Sequence, residues 1–439
     1  MVIEYVIVAE WYSQLAYLGK YVLSSDQEGD TCRLCVNGTN ASGGLDIAPS
    51  NGEVVTPDIF QVQGVIKNNV DAVIFSANSH WILSEKRTFP RVFECPGTDR
   101  TITFKPSVWN VTGIAAADVV IFAAKISSDI WEEVTKVREP HQIWVYSTAE
   151  SPYHSPQVRS STGLKPLGFG QDFLFNMSFM YHSKSEVVAP FGAYIPFEMT
   201  KHERNVEITY KKPIHMVAWA SSHCNTVFWN RTGFVESLSS YIPVHKYGTC
   251  GNNPISRGFA GLKILKRYKF YIAFENSCCS EYITEKFWQA LAIFESVPIV
   301  MGPSKADYKR VAPPNSFVFA GDFNDMKDLA RYIRRVANNE TLYNKYHEWR
   351  KYGQVEIYKS IKVYPFTSTE SACSLLNYLE QHAWKGTNQP LSMKLDPFGP
   401  EWLGSCKPCG NKEWIHIFDL SNNAYNPFVS THTKWGKLG

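Results

Sequence analysis

Apolar residues follow their most regular spacing between positions 264 and 302, where two short apolar runs flank a helical pattern. The run 269–274 is aromatic and β-branched and predicts a buried strand, and 297–301 is a second apolar run of strand length. Between them, four apolar side chains share one helical face at i, i+3, i+4 and i+7: Phe287, Ala290, Leu291 and Phe294. Thr284 precedes this helix as a suitable N-cap. The stretch therefore predicts a βαβ unit.

Similar apolar runs at 71–78, 117–125 and 142–148 predict three further parallel strands. An internal repeat would also explain their likeness, but buried parallel strands resemble one another in any case. The residues between the first two runs, 80–110, are rich in Pro and polar residues. We predict that they are largely loop.

A charged, polar stretch at 196–213 has the composition of a linker between domains. After it, residues 215–224 predict the first strand of a second α/β unit, and 231–238 predict the helix that follows. Two amphipathic helices are predicted at 326–336 and 340–352.

The composition is that of a folded protein with a large core, because 44% of its 439 residues are hydrophobic and 14% are aromatic. We predict two α/β domains, 1–200 and 213–375, and an irregular tail over 376–439. The 44 Lys and Arg residues nearly balance the 41 Asp and Glu residues, giving a net charge of +3. This balance indicates no nucleic acid or other general polyanion as a partner, so local basic residues must carry any phosphate chemistry.

Ten cysteines and six Asn-X-Ser/Thr triplets indicate a secretory lumen. The triplets, which are candidate glycosylation sites, begin at Asn37, Asn40, Asn110, Asn176, Asn230 and Asn339. A cytosolic enzyme with free thiols is the alternative. Residues 1–23 contain charged and polar interruptions, so we expect that they do not span a bilayer and that any membrane anchor is not evident in this sequence.

Two CxxC pairs, Cys32 with Cys35 and Cys406 with Cys409, have the spacing of zinc ligands. The pairs lie too far apart in the sequence for the usual gap between paired zinc ligands. We therefore interpret these cysteines as disulfide candidates, with their connectivity open.

Candidate chemistry lies where the predicted strands end. In a βαβ unit, free N–H groups at the helix N-terminus favour an anion such as a phosphate, and Lys286 adds a positive charge there. Tyr282 and Glu285 would then hydrogen-bond a sugar attached to that phosphate. Glu150, which follows the run 142–148, is placed at the rim of the other sheet. An ordinary α/β crossover and a surface turn acid are the alternatives for the two sites.

The segment YKFYIAFENSCCSEYITEKFWQALAIFESVPIVMGPS resembles the donor-site signature of the α1,3/α1,4-fucosyltransferases, glycosyltransferase family 10. The resemblance implies contacts to the fucose and diphosphate of GDP-fucose from five residues: Glu275, Asn276, Tyr282, Glu285 and Lys286. Two departures from the family pattern are Ser280-Glu281 and the adjacent pair Cys278-Cys279.

Two further motifs extend the resemblance. The segments ESPYHSP and LFNMSFMYHSKSEVVAPFG are similar to the acceptor-domain signature, which implies that Glu150 is the catalytic base. The pattern SSHC, Arg231 and YGTCG is similar to a second donor motif, which implies that Arg231 meets the diphosphate. His223 stands where Asn is usual, which puts one hydrogen bond in doubt. The family also has a C-terminal CxxC tied to the acceptor domain, a role that would suit Cys406 and Cys409.

The resemblance implies an α/β fold of two Rossmann-like domains facing a cleft, the GT-B glycosyltransferase architecture, in an invertebrate-like member. Its implied activity is inverting α1,3-fucosyl transfer from GDP-fucose to an N-acetylglucosamine-containing glycan, in a Golgi type II membrane protein. No DxD motif is present, so we expect no obligatory metal or other cofactor. The alternatives are an inactive carbohydrate-binding homologue and a structural secretory protein. A retaining mechanism would need a second carboxylate as nucleophile, for which Glu285 is conceivable.

Overall fold

The computed structural model describes residues 68–75, 89–107, 111–123, 128–155, 175–197, 215–224, 227–256, 258–358, 366, 368–384, 393–397 and 399–419. Within these residues the chain forms two largely parallel sheets and a short two-stranded ribbon. The predicted linker at 196–213 lies almost wholly outside the described residues, as do Cys32, Cys35 and residues 1–23.

The first sheet has the strand order β2-β3-β1-β4-β5-β6-β7, and all neighbours are parallel except β2 and β3. Its strands are β1 (Asn69–Phe75), β2 (Arg91–Glu94), β3 (Thr101–Ser107), β4 (Val119–Phe122), β5 (Ile143–Thr148), β6 (Met177–Met180) and β7 (Val187–Val188). Helices α1 (Val111–Ala115) and α2 (Ser128–Lys136) follow β3 and β4, and a further strand, β8 (Gly192–Pro196), lies outside this sheet.

Three strands of this sheet confirm the runs predicted from periodicity, since β1, β4 and β5 are parallel neighbours with almost wholly buried side chains. The prediction that 80–110 is largely loop is wrong, because β2 and β3 lie within it. Strand β2 is at the sheet edge, with alternate residues exposed. An edge strand needs only half-buried side chains, so its sequence carries no continuous apolar run.

The second sheet has the order β10-β9-β11-β12-β13, all parallel. Its strands are β9 (His215–Ala220), β10 (Val244–Tyr247), β11 (Tyr268–Phe274), β12 (Val297–Met301) and β13 (Val318–Phe319). The helices of this part are α3 (Arg231–Ser239), α4 (Phe259–Leu265), α5 (Glu285–Ala292), α6 (Lys305–Val311), α7 (Met326–Ala337) and α8 (Glu340–Lys345), with 3₁₀ turns at Ala320–Asp322 and Glu348–Lys351.

The predicted βαβ unit is confirmed as β11, α5 and β12, with all strand residues buried. The chain order of the second sheet reverses at β9, whose neighbours are β10 on one side and β11 on the other. Such a reversal opens a crevice at the carboxyl ends of the strands, where ligands bind in doubly wound sheets. The two parallel sheets together form the GT-B arrangement expected from the sequence.

The chain returns to the first sheet after the second one is complete. Strand β14 (Gly353–Ile357) pairs antiparallel with β8, and helix α9 (Thr369–Tyr378) places Leu375 and Leu376 in the core of the first sheet. The disulfide between Cys95 and Cys373 fastens α9 there. Apolar contacts and a disulfide thus join α9, at the end of the predicted second domain 213–375, to the first sheet. The domain bounds stay a prediction.

The tail that the sequence predicts to be irregular, 376–439, contains structure in its described part. The helix α9 continues into a π turn at Leu379–Ala383, and two short helices follow, α10 (Pro400–Leu403) and α11 (Glu413–His416). Two disulfides join the tail to the loop between β11 and α5: Cys278–Cys409 and Cys279–Cys406. The expectation that Cys406 and Cys409 are tied to the acceptor domain is wrong, since their partners belong to the donor motif.

Over the stretches that the structure describes, no helix is both long and apolar enough to cross a bilayer.

Candidate active site

The loop between β11 and α5 is held by a buried carboxylate. Glu275 has no solvent exposure, and its two oxygens accept hydrogen bonds from the Thr284 backbone N–H at 2.8 Å and the Thr284 hydroxyl at 2.7 Å. Thr284 is the N-cap residue of α5, as predicted, but its hydroxyl bonds Glu275 rather than the helix. Burial raises the pKa of Glu275, and the charge of Lys286 opposes that shift. The two hydrogen bonds between Glu275 and Thr284 therefore close the loop into a ring. Glu275, which was predicted to contact the ligand, is buried in this structure.

Lys286 places a cation on the first turn of α5. Its Nζ donates to Glu275 Oε2 at 3.3 Å, Thr284 Oγ1 at 2.8 Å and Glu285 Oε1 at 2.9 Å. Burial alone would lower the pKa of Lys286, but the charges of Glu275 and Glu285 outweigh burial and raise it. The ammonium group therefore stays protonated at the positive end of a helix, an arrangement that favours a bound anion. Its side chain is 23% exposed, so a ligand can reach it.

Arg231 lies at the strand-order reversal of the second sheet. Its guanidinium donates to the Phe274 carbonyl at 3.1 Å, the Ser221 hydroxyl at 3.0 Å and the His223 carbonyl at 2.9 Å, which ties the ends of β9 and β11 together. The side chain is only 2% exposed, and burial lowers its pKa while Glu275 raises it. The sequence predicted contact between Arg231 and a diphosphate. The structure shows the guanidinium buried against strand-end oxygens, and its contact with a diphosphate stays a prediction.

His223 occupies the position where the family usually has Asn. Arg231 donates to the backbone carbonyl of His223, a bond that does not depend on the side chain at this position. The hydrogen bond of the usual Asn side chain stays in doubt. Desolvation, Arg231 and Lys286 lower the pKa of the imidazole. A disulfide between Cys224 and Cys250 joins this loop to the YGTCG segment.

Glu150 faces the second sheet from the first. It lies two residues beyond the end of β5 and is half-buried, with its backbone N–H donating to the Thr148 hydroxyl at 3.1 Å. Its Oε2 accepts a hydrogen bond of 2.9 Å from the Tyr282 hydroxyl, and the Asn276 side chain lies close enough to lower the pKa of this carboxyl. Burial raises the pKa of Glu150, whereas Tyr282 and Lys286 lower it and Glu285 raises it. The base candidate of one domain is thus oriented by the donor motif of the other.

The predicted site residues form two layers. Glu150, Asn276, Glu285 and Lys286 are partly exposed where the two domains meet, and Glu275, Arg231 and Tyr282 are buried beneath them.

Several residues at the interface between the domains were missed by the sequence argument. The Ser277 hydroxyl donates to the Ser151 hydroxyl at 2.7 Å across the buried interface. Glu281 accepts from the Ser183 backbone N–H and hydroxyl, both at 2.7 Å, and forms a 3.0 Å ion pair with Arg310. All of these residues except Arg310 belong to motifs quoted above, but a motif alone does not reveal which residue of the other domain it meets.

Two family models match successive parts of the chain. The one described as "Fucosyltransferase, N-terminal" matches residues 77–192, and the one described as "Glycosyltransferase family 10 (fucosyltransferase) C-term" matches residues 210–392. A 4-galactosyl-N-acetylglucosaminide 3-alpha-L-fucosyltransferase FUT6 from Gorilla gorilla gorilla is 30% identical over 278 residues, which cover 62% of this chain and 71% of that protein. The chain belongs to glycosyltransferase family 10.

Other relatives of this family 10 chain are matched over shorter lengths. The Homo sapiens FUT6 protein of the same description is 33% identical over 218 residues, 49% of this chain and 55% of the relative, so the chain spans about half of that protein. The Mus musculus alpha-(1,3)-fucosyltransferase 4 is 33% identical over 230 residues, 51% of this chain and 50% of the relative. A crystal structure of alpha1,3-fucosyltransferase with GDP-fucose is 15% identical, with a TM-score of 0.42, covering 74% of this chain and 94% of that one.

The candidate glycosylation sites of this family 10 chain differ in their surroundings. Asn230 and Asn339 are exposed N-cap residues, and their side-chain oxygens accept hydrogen bonds from the backbone N–H groups of Gly233 and Leu342. Their side-chain amide nitrogens take no part in these capping bonds. The Asn176 side-chain oxygen instead accepts from the Trp144 backbone N–H at 2.7 Å and from an arginine. The sites at Asn37, Asn40 and Asn110 lie outside the described residues. Glycosylation stays a prediction at all six.

The Glu275–Thr284 ring generates a stability prediction. Replacing Thr284 with Val keeps the side-chain shape but removes the hydroxyl donor, which leaves one buried Glu275 oxygen with a lost partner. The variant should lose about 1–3 kcal/mol of unfolding free energy. Chemical denaturation measures this loss against Thr135→Val, since Thr135 is exposed on α2. An equal loss in the two variants would contradict a special role for the ring.

Proposed function

We propose that this chain is an inverting α-(1,3)-fucosyltransferase that transfers L-fucose from GDP-fucose to an N-acetylglucosamine-containing glycan. The observation that carries the proposal is the pairing of Glu150 with Tyr282 beside the Lys286 and Glu285 ion pair, at 2.9 Å for each contact. A half-buried base and an accessible cation thus lie in one cleft, on opposite domains. Membership of family 10 supports fucose as the transferred sugar.

The reaction requires one base. The acceptor hydroxyl oxygen forms a bond to the anomeric carbon of fucose as the bond from that carbon to the GDP oxygen breaks, and Glu150 takes the hydroxyl proton. The bond-breaking electron pair leaves with GDP. A single displacement on β-linked GDP-fucose gives the α-fucoside. A retaining route through Glu285 is disfavoured, since its carboxylate is held by Lys286 at 2.9 Å.

The leaving diphosphate gains negative charge, which Lys286 and the N–H groups at the start of α5 are placed to stabilise. Buried Arg231 adds positive potential beneath the same site. These groups do the work that a divalent ion performs in other glycosyltransferases, so the proposal includes no obligatory metal. Asn276 and Glu285 remain available to the fucose ring, and the buried side chains of Glu275 and Tyr282 support them.

The proposed location is the Golgi lumen, with membrane anchoring expected of the family. Four disulfides among the described residues and the six sequons support a lumenal environment. A glycoprotein glycan is the proposed acceptor, and the names of the human and gorilla relatives point to galactosyl-N-acetylglucosamine as one acceptor to assay. The N-glycan core is the second.

The proposal is tested by following GDP release and glycan product with GDP-fucose and a panel of lactosamine and N-glycan acceptors. Glu150→Gln should lower kcat by about 10²–10⁴-fold, because general-base catalysis is lost, and should leave GDP affinity near the wild-type value. Glu132→Gln, a change on the exposed face of α2, is the matched control. Normal turnover in the Glu150 variant would overturn the base assignment, and no turnover in the wild type would favour the inactive carbohydrate-binding homologue.

The raised pKa of Glu150 predicts a pH dependence. The ionised carboxylate is the base, so kcat/KM should rise with pH through a limb that lies above the ordinary Glu pKa of about 4.3. Tyr282→Phe removes a hydrogen bond that lowers this pKa, and the limb should move to higher pH. Initial rates across pH measure the limb, with Tyr332→Phe on α7 as the control. A limb that stays in place, or moves to lower pH, in the Tyr282 variant would contradict the contact.

A further inference from the structure

The loop that carries the donor motif is fastened to the C-terminal tail by two adjacent cysteines. Cys278 bonds Cys409 and Cys279 bonds Cys406, and all four side chains are buried. Both loop cysteines lie between Asn276 and Tyr282, two residues that contact Glu150. The tail is therefore attached at the point in the loop where a small displacement would move both contacts.

Backbone hydrogen bonds reinforce the covalent attachment. The Ser280 N–H donates to the Ser405 carbonyl at 3.1 Å, and the Lys407 N–H donates to the Cys278 carbonyl at 2.9 Å. Cys279 and Cys406 form an antiparallel bridge between these two bonds. The tail thus pairs with the loop as a short second strand, which fixes the loop's direction as well as its distance.

The far end of the same tail segment is anchored on the second domain. The Asn230 N–H donates to the Phe418 carbonyl at 2.7 Å, directly before Arg231 opens α3. Phe418 and Trp414 pack against Phe234 of α3, with ring centroids 5.1 and 5.6 Å apart. The segment is therefore attached to a rigid helix as well as to the loop.

The near end reaches the first domain. Trp402 is fully buried, with its ring 5.7 Å from Tyr181 and 6.1 Å from the His182 ring. Tyr181 packs in turn on Tyr282, at 5.3 Å between ring centroids. Next to Trp402, Glu401 forms an ion pair with a lysine of the first domain, Lys184. A series of tilted aromatic contacts thus runs from the tail through the first domain to the tyrosine that hydrogen-bonds Glu150.

We propose that residues 399–419, the C-terminal clamp, are a positioning element of the active site: the two disulfides and Trp402 hold Tyr282 against Glu150. The inference rests on the proposed function for its catalytic consequence. The clamp touches neither donor nor acceptor and acts through Tyr282. If the disulfides only stabilised the fold, removing one would change the free energy of unfolding alone. If they position the active site, removing one also changes kcat and the pH profile relative to a control variant of equal stability.

The test replaces Cys279 and Cys406 together by Ala and compares this variant with one in which Cys95 and Cys373 are replaced by Ala. The control pair also closes a long loop, but it joins the edge of the first sheet to α9, away from the cleft. We expect both variants to lose thermal stability. Only the clamp variant should lower kcat, by about tenfold or more, since small misplacements of reacting groups are costly. Its kcat/KM acid limb should also move to higher pH.

A wild-type kcat and an unmoved acid limb in the clamp variant would overturn the proposal. The disulfide would then serve only to stabilise the fold. If that variant does not fold, Trp402→Leu decides by the same two readouts, since it keeps both disulfides.

Amide hydrogen exchange of residues 276–284 separates this test from the proposed function. The clamp variant should lose protection in that loop, and the control pair should not. If the wild-type protein does not transfer fucose, the proposed function is refuted. The hydrogen-exchange result would still confirm or overturn the positioning of the loop.

Discussion

The constraint on which the site depends is the cost of burying charge. Arg231 and Glu275 are almost without solvent exposure at the carboxyl edge of the second sheet, and an unpaired ion there would cost several kcal/mol. Their partners are therefore fixed: strand-end oxygens for Arg231, and Thr284 and Lys286 for Glu275. Because these bonds close the loops around the crevice, the groups above them are held in place before any ligand arrives.

The same arrangement explains how two domains make one site. Tyr282 leaves the constrained loop and donates to Glu150 on the other domain, and the Ser151–Ser277 bond and the Glu281–Ser183 bonds fasten the surrounding interface. The α9 helix returns the chain to the first domain, and the β8–β14 ribbon packs on α5 of the second. Both connections limit separation of the two sheets. Glu150 and Lys286, the proposed base and the proposed diphosphate ligand, are thus linked through hydrogen bonds of one constrained loop.

Sequence patterns predicted the elements that local periodicity controls. The β11–α5–β12 unit was predictable because its strands are fully buried and its helix has one apolar face. The motif residues lie close together in the structure, and their roles stay predictions. The orientation of Glu275 and Arg231 was not predictable, since a motif gives proximity to a ligand but not depth below the surface. The partners of Cys406 and Cys409 and the return of α9 were also missed, because both depend on contacts more than a hundred residues apart.

The central claim is that Lys286, kept charged by Glu275 and Glu285, is the group that receives the diphosphate. Calorimetric titration of GDP into the wild type and the Lys286→Gln variant tests it most directly. Lys305→Gln is the control, because Lys305 lies in the first turn of α6 as Lys286 does in the first turn of α5. Loss of a charge-assisted hydrogen bond should weaken GDP binding by about 1.5–3 kcal/mol in the Lys286 variant only. Equal GDP affinity in all three proteins would contradict the account.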